Sequence, residues 1–193
     1  MYPWLPEAAE FSGHRGEQVL EIGCGTGCDL LQFAKHGARA TGVDITPTHL
    51  ELARQRVGNL ATVVEGDGRS LPFPDASFDY VYSHGVLHHS DEPNKIVEEI
   101  FRVLRPHGTF NVQVYALVSY FRLWKTLQHG RDWKLWVEDD NIRDKVHIDL
   151  YTGRSLRGLF APARLQITKH HCKPWGVLAP WFGWFLVAKG QRP

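Results

Sequence analysis

The sequence is poor in cysteine and carries almost no net charge, and each shortage excludes a class of protein. Its 193 residues include three cysteines, Cys24, Cys28 and Cys172, and this odd number without a disulfide framework predicts a reducing, cytoplasmic compartment. Cys24 and Cys28 lie close together, but no second pair of His or Cys residues completes a zinc-binding pattern, so we expect no metal. With 22 basic and 21 acidic residues and no basic stripe, we also expect no nucleic-acid partner.

Long apolar runs are equally scarce. Residues 1–7 have neither the basic segment nor the apolar segment of a signal peptide. The apolar tail at residues 175–188 is shorter than the ~20 residues that a membrane-spanning helix needs, and Pro180 and Gly183 interrupt it. We therefore expect no transmembrane segment. For this tail the alternatives are, in order, a strand of the core, the contact surface of a homodimer, and a membrane-surface contact.

The most informative stretch is a glycine-rich loop near the start of the chain. Residues 18–22 are mostly apolar and predict a buried strand. Gly23, Gly25 and Gly27 follow at alternate positions, and residues 28–36 predict a helix. Glycine permits positive φ and lets a ligand lie against the backbone. The helix that follows offers unpaired N–H groups to a ligand. This strand–loop–helix setting predicts a ligand-binding turn.

Two acids recur where the next two predicted strands end. Asp44 ends the second strand, 17 positions after Gly27 (44 − 27), and an acid there typically accepts hydrogen bonds from ribose hydroxyls. Asp67 ends the third strand, beside the same crevice, where it can accept from an exocyclic amine. A nicotinamide dinucleotide is the chief alternative ligand. Its loop would have the spacing G-x-G-x-x-G, whereas the glycines here alternate and Glu21 lies two residues ahead of them.

The rest of the chain continues the alternation of strands and helices. Five predicted strands connected by helices favour an open parallel α/β sheet, and 193 residues fit one domain. Residues 116–150 contain no strand signal and predict a helical insertion after the fifth strand. Thr152 is expected to cap a last helix that runs to Phe160. Two closing strands follow, and a tight connection between them would make one of them antiparallel.

Several motifs resemble those of one enzyme family, the class I S-adenosylmethionine-dependent methyltransferases, and within it the type 11 branch. They occur in the family's order over roughly residues 15–115, and they are Glu21 to Gly27, Asp44, Gly66 to Gly68, Leu71 to Phe73, Ser77 to Asp79, Leu87 to His89, and Arg102 to Pro106. The resemblance implies a Rossmann-like doubly wound sheet of seven strands in the order 3-2-1-4-5-7-6, with the seventh antiparallel. It also implies S-adenosylmethionine as cofactor and methyl transfer as the activity.

The resemblance assigns the glycine loop to the methionine and ribose parts of the cofactor. Gly23, Gly25 and Gly27 would lie along those parts, with Cys24 in the same loop. Glu21 would order the loop and the amino group of the cofactor, directly or through water.

The remaining cofactor contacts that the resemblance implies come from the next three strand ends. Asp44 would hold the ribose hydroxyls, and Ile45 would lie against the adenine. Asp67 would accept from the adenine amine, and Gly68 would supply a backbone contact. Ser83 and His84 would border the methionine end. One residue departs from the family pattern, since His107 stands where the family usually has a second glycine of a turn.

The acceptor and the catalytic group are less well defined by the sequence. His88 is the first candidate for a general base, because it follows the fourth strand at the mouth of the crevice; the alternative is that it packs at a helix entry. Relatives that act on hydroxyls pair such a histidine with a carboxylate after the fifth strand, and Val114-Tyr115 occupy that place here. His147 with Asp149 is the second candidate, and a surface loop is its alternative.

The insertion suggests what the acceptor looks like. In this family, segments after the fifth strand often cover the acceptor site, so that Tyr115, Tyr120, Phe121 and Trp124 are candidates for lining an apolar pocket; the alternative is a helix packed on the sheet. We therefore expect a methyltransferase for a small, partly apolar molecule. The rival functions are a nicotinamide-dependent oxidoreductase and a non-catalytic cofactor-binding module that serves a partner protein.

Overall fold

The structure is a computed structural model, and it describes residues 4–117, 127, 149–170 and 185–193. One mixed sheet dominates this part of the chain. Its strands are β1 (Gln18–Ile22), β2 (Arg39–Asp44), β3 (Thr62–Glu65), β4 (Phe78–His84), β5 (Leu104–Tyr115), β6 (Leu165–His170) and β7 (Phe185–Gln191). The helices are α1 (Leu5–Ala9), α2 (Cys28–Lys35), α3 (Pro47–Val57), α4 (Pro93–Val103) and α5 (Gly153–Leu159), and Phe11–Gly13 and Leu87–His89 form single 3₁₀ turns.

The strand order is β3-β2-β1-β4-β5-β7-β6, which confirms the predicted order. β1 pairs in parallel with β2 and β4, and the pairs β2–β3 and β4–β5 are parallel as well. β7 runs antiparallel to both of its neighbours, β5 and β6. Because five strands run the same way, their carboxyl ends meet at one edge of the sheet, where ligands bind in open α/β folds.

Local sequence signals explain most of the helix boundaries. Pro47 and Pro93 begin α3 and α4, as expected for a residue that lacks an N–H and has a fixed φ. Gly37 and Gly58 follow α2 and α3 with φ of 91° and 54°, so both chain reversals use backbone that glycine adopts readily. Thr152 accepts a hydrogen bond from the backbone N–H of Ser155 in a capping box, which confirms the cap predicted for α5.

The two faces of the sheet are covered by different helices. One face carries Leu20, Val81 and Phe110, which pack with the buried sides of α4 and α5. The other face carries Val19, Tyr80 and Tyr82, which pack with α1 and α2 through residues such as Leu5, Leu30 and Phe33. Alternate residues of β1 and β4 thus point to opposite faces, and buried apolar area on both sides fixes the register of the central strands.

The structure refines three predictions. β3 ends at Glu65, so Asp67 lies in the loop two residues beyond the strand. β5 begins at Leu104 rather than Thr109, and the chain leaves the β4–β5 ladder between the Phe78–Leu104 and Tyr80–Thr109 pairs. His107 lies in that excursion with φ of 64°, which explains why glycine is usual there. The helical insertion at 116–150 lies almost wholly outside the described residues, and one domain over residues 1–193 stays a prediction.

Candidate functional site

A cleft of about 480 Å³ lies at the carboxyl ends of β1, β2, β3 and β4, and we call it the main cleft. Its lining comes from the loops that follow these strands, and includes Gly23, Gly25, Asp44, Ile45, His49, Asp67, Gly68, Arg69, His84, Val86 and His89. A second cavity of about 350 Å³ adjoins it and is lined by Leu5, Glu21, Gly23, Cys24, Thr26, Cys28, Asp29 and His84. Gly23 and His84 line both, so the two spaces meet at these residues. Their sizes are those of small-molecule sites.

The three glycines of the loop have different structural roles. Gly23 has φ of 70°, and a Cβ there would come within 2.1 Å of a methyl group of Val86, so no side chain fits. Gly25 has φ of 50°, and a Cβ there would meet nothing within 4 Å. The space above Gly25 is therefore open to a ligand that lies against the backbone. Gly27 faces α3 instead, where its Cβ would lie 3.2 Å from Ala53, so this glycine allows two helices to approach.

Asp44 ties the end of β2 to the glycine loop. One carboxylate oxygen accepts the backbone N–H of Gly25 at 2.8 Å, and the other accepts the backbone N–H of Thr46 at 2.9 Å. His49 lies 3.7 Å from the second oxygen. Since a carboxylate offers about four acceptor positions, these two hydrogen bonds fix its orientation and leave capacity for two hydroxyls of a ligand.

The rim of the main cleft carries an exposed hydrophobic residue and an ion pair. The side chain of Ile45 is 61% exposed, which suits a residue that covers a flat apolar ring when a ligand is present. Asp67 is bound by Arg69, whose Nε and a terminal nitrogen donate to its carboxylate at 2.8–3.1 Å. These hydrogen bonds from Arg69 hold the pKa of Asp67 below its ordinary value. Gly68 lies between the two and lines the cleft.

Glu21 is a buried carboxyl group at the floor of the second cavity. It is 3% exposed, and its Oε2 atom has no hydrogen-bond partner in the part of the chain that the structure describes. Burial raises its pKa well above the ordinary value, and the nearby carboxylates of Asp29 and Asp44 add to the effect. Burial likewise raises the pKa of the Cys24 thiol to about 12. A cation in this cavity would satisfy Glu21, whereas Cys24 stays protonated and is no nucleophile.

Ser83 and His84 end β4 but lie in different environments. Ser83 is buried, and its hydroxyl donates to the carbonyl of Ile22 at 3.3 Å, so it joins β4 to β1 and does not line the main cleft. His84 is the last residue of the strand and lines both cavities.

His88, the first candidate for a catalytic base, is wholly buried. Its ring lies 4.0 Å from the ring of Tyr115 and 4.2 Å from that of His89, and neither ring nitrogen has a hydrogen-bond partner among the described residues. Burial lowers its pKa to about 3, and the nearby rings of His89 and His84 contribute. A base with so low a pKa is rarely protonated near neutral pH. His147, the second candidate, lies outside the described residues, as do Tyr120, Phe121 and Trp124.

Several residues of the site were not predicted from the sequence. Asp29 sits in the first turn of α2, His49 in the first turn of α3, and Arg69 two residues after Asp67. An acid in a helix's first turn is read most simply as a favourable partner for the helix dipole. Only the fold shows that these three turns converge on one crevice.

A larger hollow of about 870 Å³ lies elsewhere, between the N-terminal segment and β6 and β7. Its lining includes Thr109, Gly190 and Gln191, which lie at the amino ends of the parallel strands. We place the functional site in the smaller main cleft, because parallel sheets bind ligands at the carboxyl ends of their strands and the glycine loop lies there.

Comparison with known proteins agrees with this geometry. The sequence pattern described as "Methyltransferase domain" matches residues 20–112. Solved structures of S-adenosylmethionine-dependent methyltransferases from Mesorhizobium loti and Methanosarcina mazei share the fold. The M. loti structure has a TM-score of 0.74 at 17% identity, and the match covers 98% of this chain and 97% of that one. The M. mazei structure has a TM-score of 0.72 at 20% identity, and the match covers 100% of this chain and 98% of that one. These matches support a place for the chain in the class I S-adenosylmethionine-dependent methyltransferase family.

The curated relatives of this chain are named for different small molecules. A demethylmenaquinone methyltransferase of Symbiobacterium thermophilum is 32% identical over 167 residues, which are 78% of this chain and 65% of that protein. A sterol 4-C-methyltransferase of Caenorhabditis elegans is 37% identical over 105 residues, 52% of this chain and 31% of that protein. The chain therefore spans less than two thirds of the length of these relatives.

The residues present fit the methyl donor that class I methyltransferases use, S-adenosylmethionine. The unpartnered Oε2 of Glu21 suits its ammonium group, and the open space over Gly25 suits a ligand lying on the loop. Asp44 has acceptor capacity for ribose hydroxyls, and Ile45 can cover an adenine ring. Among the described residues, no helix is long and apolar enough to cross a membrane.

Proposed function

We propose that this protein transfers a methyl group from S-adenosylmethionine to a small, partly apolar acceptor. The observation that carries the proposal is the buried Glu21 carboxyl, which faces the cavity beside the glycine loop with one oxygen unpartnered. Burying a carboxylate is costly unless a cation or a hydrogen-bond donor compensates it. S-adenosylmethionine carries an ammonium group, whereas the nicotinamide dinucleotides place negatively charged phosphates at the glycine loop.

The side chains of the site bind and orient, and they hold few reactive groups. Gly25 leaves room for the ligand against the backbone, Asp44 accepts ribose hydroxyls, and Glu21 accepts the ammonium group. When bound, S-adenosylmethionine supplies a methyl group on a sulfonium, which is already a good leaving group. The main task of the protein is then to hold the acceptor in line with that methyl, and such positioning accounts for a large share of the rate in bimolecular reactions.

The names of the relatives support an acceptor of limited size. The proteins similar to this chain include methyltransferases for demethylmenaquinone, for 2-methyl-6-phytyl-1,4-hydroquinone and for sterols. The demethylmenaquinone enzyme is 32% identical over 78% of this chain, whereas the sterol 24-C-methyltransferase ERG6B of Gibberella zeae is 27% identical over 75%. We therefore put hydroquinones first among the acceptors and sterols second. A small acceptor also agrees with a net charge of +1, which offers nucleic acid no basic surface.

Different observations bear on the two rival functions. A nicotinamide-dependent oxidoreductase on the common dinucleotide-binding sheet would have the strand order 3-2-1-4-5-6 with all strands parallel. Here an antiparallel β7 lies between β5 and β6. A non-catalytic cofactor-binding module would keep the same cleft, so only turnover separates it from an enzyme.

The experiment is a turnover assay on defined acceptors. Purified protein is incubated with S-adenosylmethionine and 1,4-dihydroxynaphthalene under reducing conditions, and formation of S-adenosylhomocysteine is measured by mass spectrometry; a parallel reaction contains a sterol. We expect product with the hydroquinone and a methylated naphthalene of matching mass. Cofactor binding without turnover on any hydroquinone, phenol or sterol would favour the binding module instead.

We also propose a cytoplasmic location and no nucleic-acid partner. Cys24 and Cys28 are free thiols, as a reducing compartment would keep them. The homodimer stays a prediction, because residues 175–184 of the apolar tail lie outside the described residues.

A further inference from the structure

A second polar cluster lies beside the cofactor site, and it includes His84, which the sequence resemblance places at the methionine end of the cofactor. It consists of Asp29 in α2 and of Tyr82 and His84 in β4. The Asp29 carboxylate is 8% exposed, and its Oδ2 atom accepts the Tyr82 hydroxyl at 3.0 Å and lies 3.1 Å from Nδ1 of His84. Burial raises the pKa of the Tyr82 hydroxyl well above its ordinary value, so Tyr82 stays a donor to Asp29.

The cluster lies where the main cleft and the second cavity meet. His84 is the last residue of β4, and together with Gly23 it borders both the main cleft and the second cavity. The cofactor lies along Gly23 and Gly25 in the proposed function, with its ammonium group toward Glu21. Its methionine part therefore passes close to the ring of His84.

A neighbouring side chain also points to a polar ligand. Gln113 of β5 is the register partner of His84, so the two side chains emerge on the same face of the sheet. Gln113 is fully buried, and neither atom of its amide has a hydrogen-bond partner among the described residues. A buried amide without a partner is costly, and a polar group of a bound molecule is the simplest remedy.

We infer that His84, held by Asp29, is the general base that accepts the proton of a phenol or hydroquinone acceptor. This inference rests on the proposed function. In the step, the acceptor's O–H bond breaks and its proton goes to Nε2 of His84 and then to water. For O-methylation the oxygen forms the new bond to the methyl carbon, while the carbon–sulfur bond breaks and its electron pair stays on sulfur, which leaves neutral S-adenosylhomocysteine.

The hydrogen bond to Asp29 explains why this ring is suited to that role. When Nδ1 carries the proton that it donates to Asp29, Nε2 is the basic nitrogen, and the carboxylate stabilises the imidazolium that forms. Asp29 is then a positioning residue, because it acts through His84. His88 has no such carboxylate, since its ring packs against Tyr115 and His89.

The test uses 4-nitrophenol, whose phenolate absorbs visible light and whose phenol does not. Protein saturated with S-adenosylhomocysteine is titrated with it at a pH where the free phenol is mostly protonated. We expect bound phenolate with the wild-type protein, none with His84→Gln, and a reduced signal with Asp29→Asn. His36→Gln is the matched control, because His36 lies at the end of α2, where its Nδ1 atom is 2.8 Å from the carbonyl of Gln32. An absent signal in the wild type, or a signal that His84→Gln retains, overturns the inference.

Two further measurements separate this inference from the proposed function. Affinity for S-adenosylhomocysteine should fall far less than turnover in both variants, because Glu21 and Asp44 still hold the cofactor. Turnover on 1,4-dihydroxynaphthalene, measured with the cofactor saturating, should fall by about 10²–10⁴ in His84→Gln, the usual range for a lost general base. A large loss of cofactor affinity in His84→Gln would make His84 a cofactor-binding residue and would overturn the inference. If the wild-type protein does not bind S-adenosylhomocysteine, the proposed function itself is wrong.

Discussion

Arg69 occupies the carboxylate of Asp67 completely. Its Nε lies 3.1 and 3.0 Å from the two oxygens, a terminal nitrogen lies 2.8 Å from Oδ2, and its own backbone N–H donates to Oδ1 at 2.8 Å. The other terminal nitrogen donates to Asp91 at 3.2 Å, and Asp91 also lines the main cleft. A carboxylate has about four acceptor positions, so Asp67 can accept from an adenine amine only after Arg69 moves.

Replacing Arg69 should therefore strengthen cofactor binding. We expect Arg69→Ala to raise the affinity for S-adenosylhomocysteine by about two- to fivefold, the scale of an exposed ion pair, because Asp67 no longer has to exchange partners. Calorimetry at low salt measures the effect. Arg39→Ala, at the exposed start of β2, is the control and should leave affinity unchanged. Weaker binding in Arg69→Ala would mean that the guanidinium itself contacts the cofactor.

Asp44 should be the strongest single determinant of cofactor affinity. A hydrogen bond to a charged group contributes about 1–3 kcal/mol, so Asp44→Ala should weaken S-adenosylmethionine binding by about tenfold or more. The loss has two sources, the ribose contacts and the support that Asp44 gives to the N–H of Gly25. Glu65→Ala is the comparison, since Glu65 is an exposed acid paired with Asp44 in the β2–β3 register. Equal affinities in the two variants would contradict the assignment.

We expect Glu21 to lower the stability of the fold while it strengthens cofactor binding, and the pH dependence of the stability follows from its pKa. Burial raises that pKa above the ordinary value of 4.5, so the folded state binds more protons than the unfolded state above pH 4.5, and stability is lost as the pH rises toward the folded pKa. Glutamine does not titrate. The advantage of Glu21→Gln in free energy of unfolding should therefore grow with pH above 4.5, by up to about 1.4 kcal/mol per pH unit.

The same Glu21→Gln protein should bind S-adenosylmethionine about tenfold more weakly, because an amide cannot match a carboxylate as partner for an ammonium group. Urea unfolding at several pH values and calorimetry measure the two effects on one sample. If Glu21→Gln binds more weakly but shows no pH-dependent gain in free energy of unfolding, the Glu21 carboxyl is not costly to bury. A gain in stability with unchanged affinity would remove Glu21 from the cofactor site.

His107 offers a test of backbone strain. It has φ of 64° in the excursion before the regular part of β5, and this left-handed conformation costs a side chain about 1–2 kcal/mol. His107→Gly should raise the melting temperature by about 2 °C, since the greater freedom of glycine in the unfolded chain offsets part of the gain. His36→Gly, where φ is −87°, should lower it. Scanning calorimetry compares the two, and a lower melting temperature for His107→Gly would contradict the strain.

The sequence predicted the parts of the site that come from short, local patterns. Glycine spacing, the acid at the end of β2 and the alternation of strands and helices all express local backbone chemistry, and they led to Gly25, Asp44 and the open parallel sheet. The full strand order came from the resemblance to the methyltransferase family. The Asp29–His84 and Arg69–Asp67 pairs escaped prediction for different reasons. The first joins residues 55 positions apart and exists only because α2 packs on β4; the second depends on the conformation of a loop.

His88 shows what a short sequence pattern leaves undetermined. Its place after β4 suggested a catalytic base, but Leu87–His89 forms a 3₁₀ turn that puts the ring inside the protein. Within this one turn His88 is buried and His89 is exposed. Three residues are too few for a hydrophobic pattern that would show which of them is buried. The role of His88 in catalysis stays a prediction that His88→Ala would test.

The most direct test of the account is the choice of cofactor by the wild-type protein. In one calorimetric series, S-adenosylmethionine, S-adenosylhomocysteine and NADH are titrated into the same preparation. We predict that the two adenosyl compounds bind with one site per chain and that Asp44→Ala weakens both, while NADH gives no binding heat. Saturable binding of NADH, with no signal from S-adenosylmethionine, would contradict the central claim that this cleft serves methyl transfer.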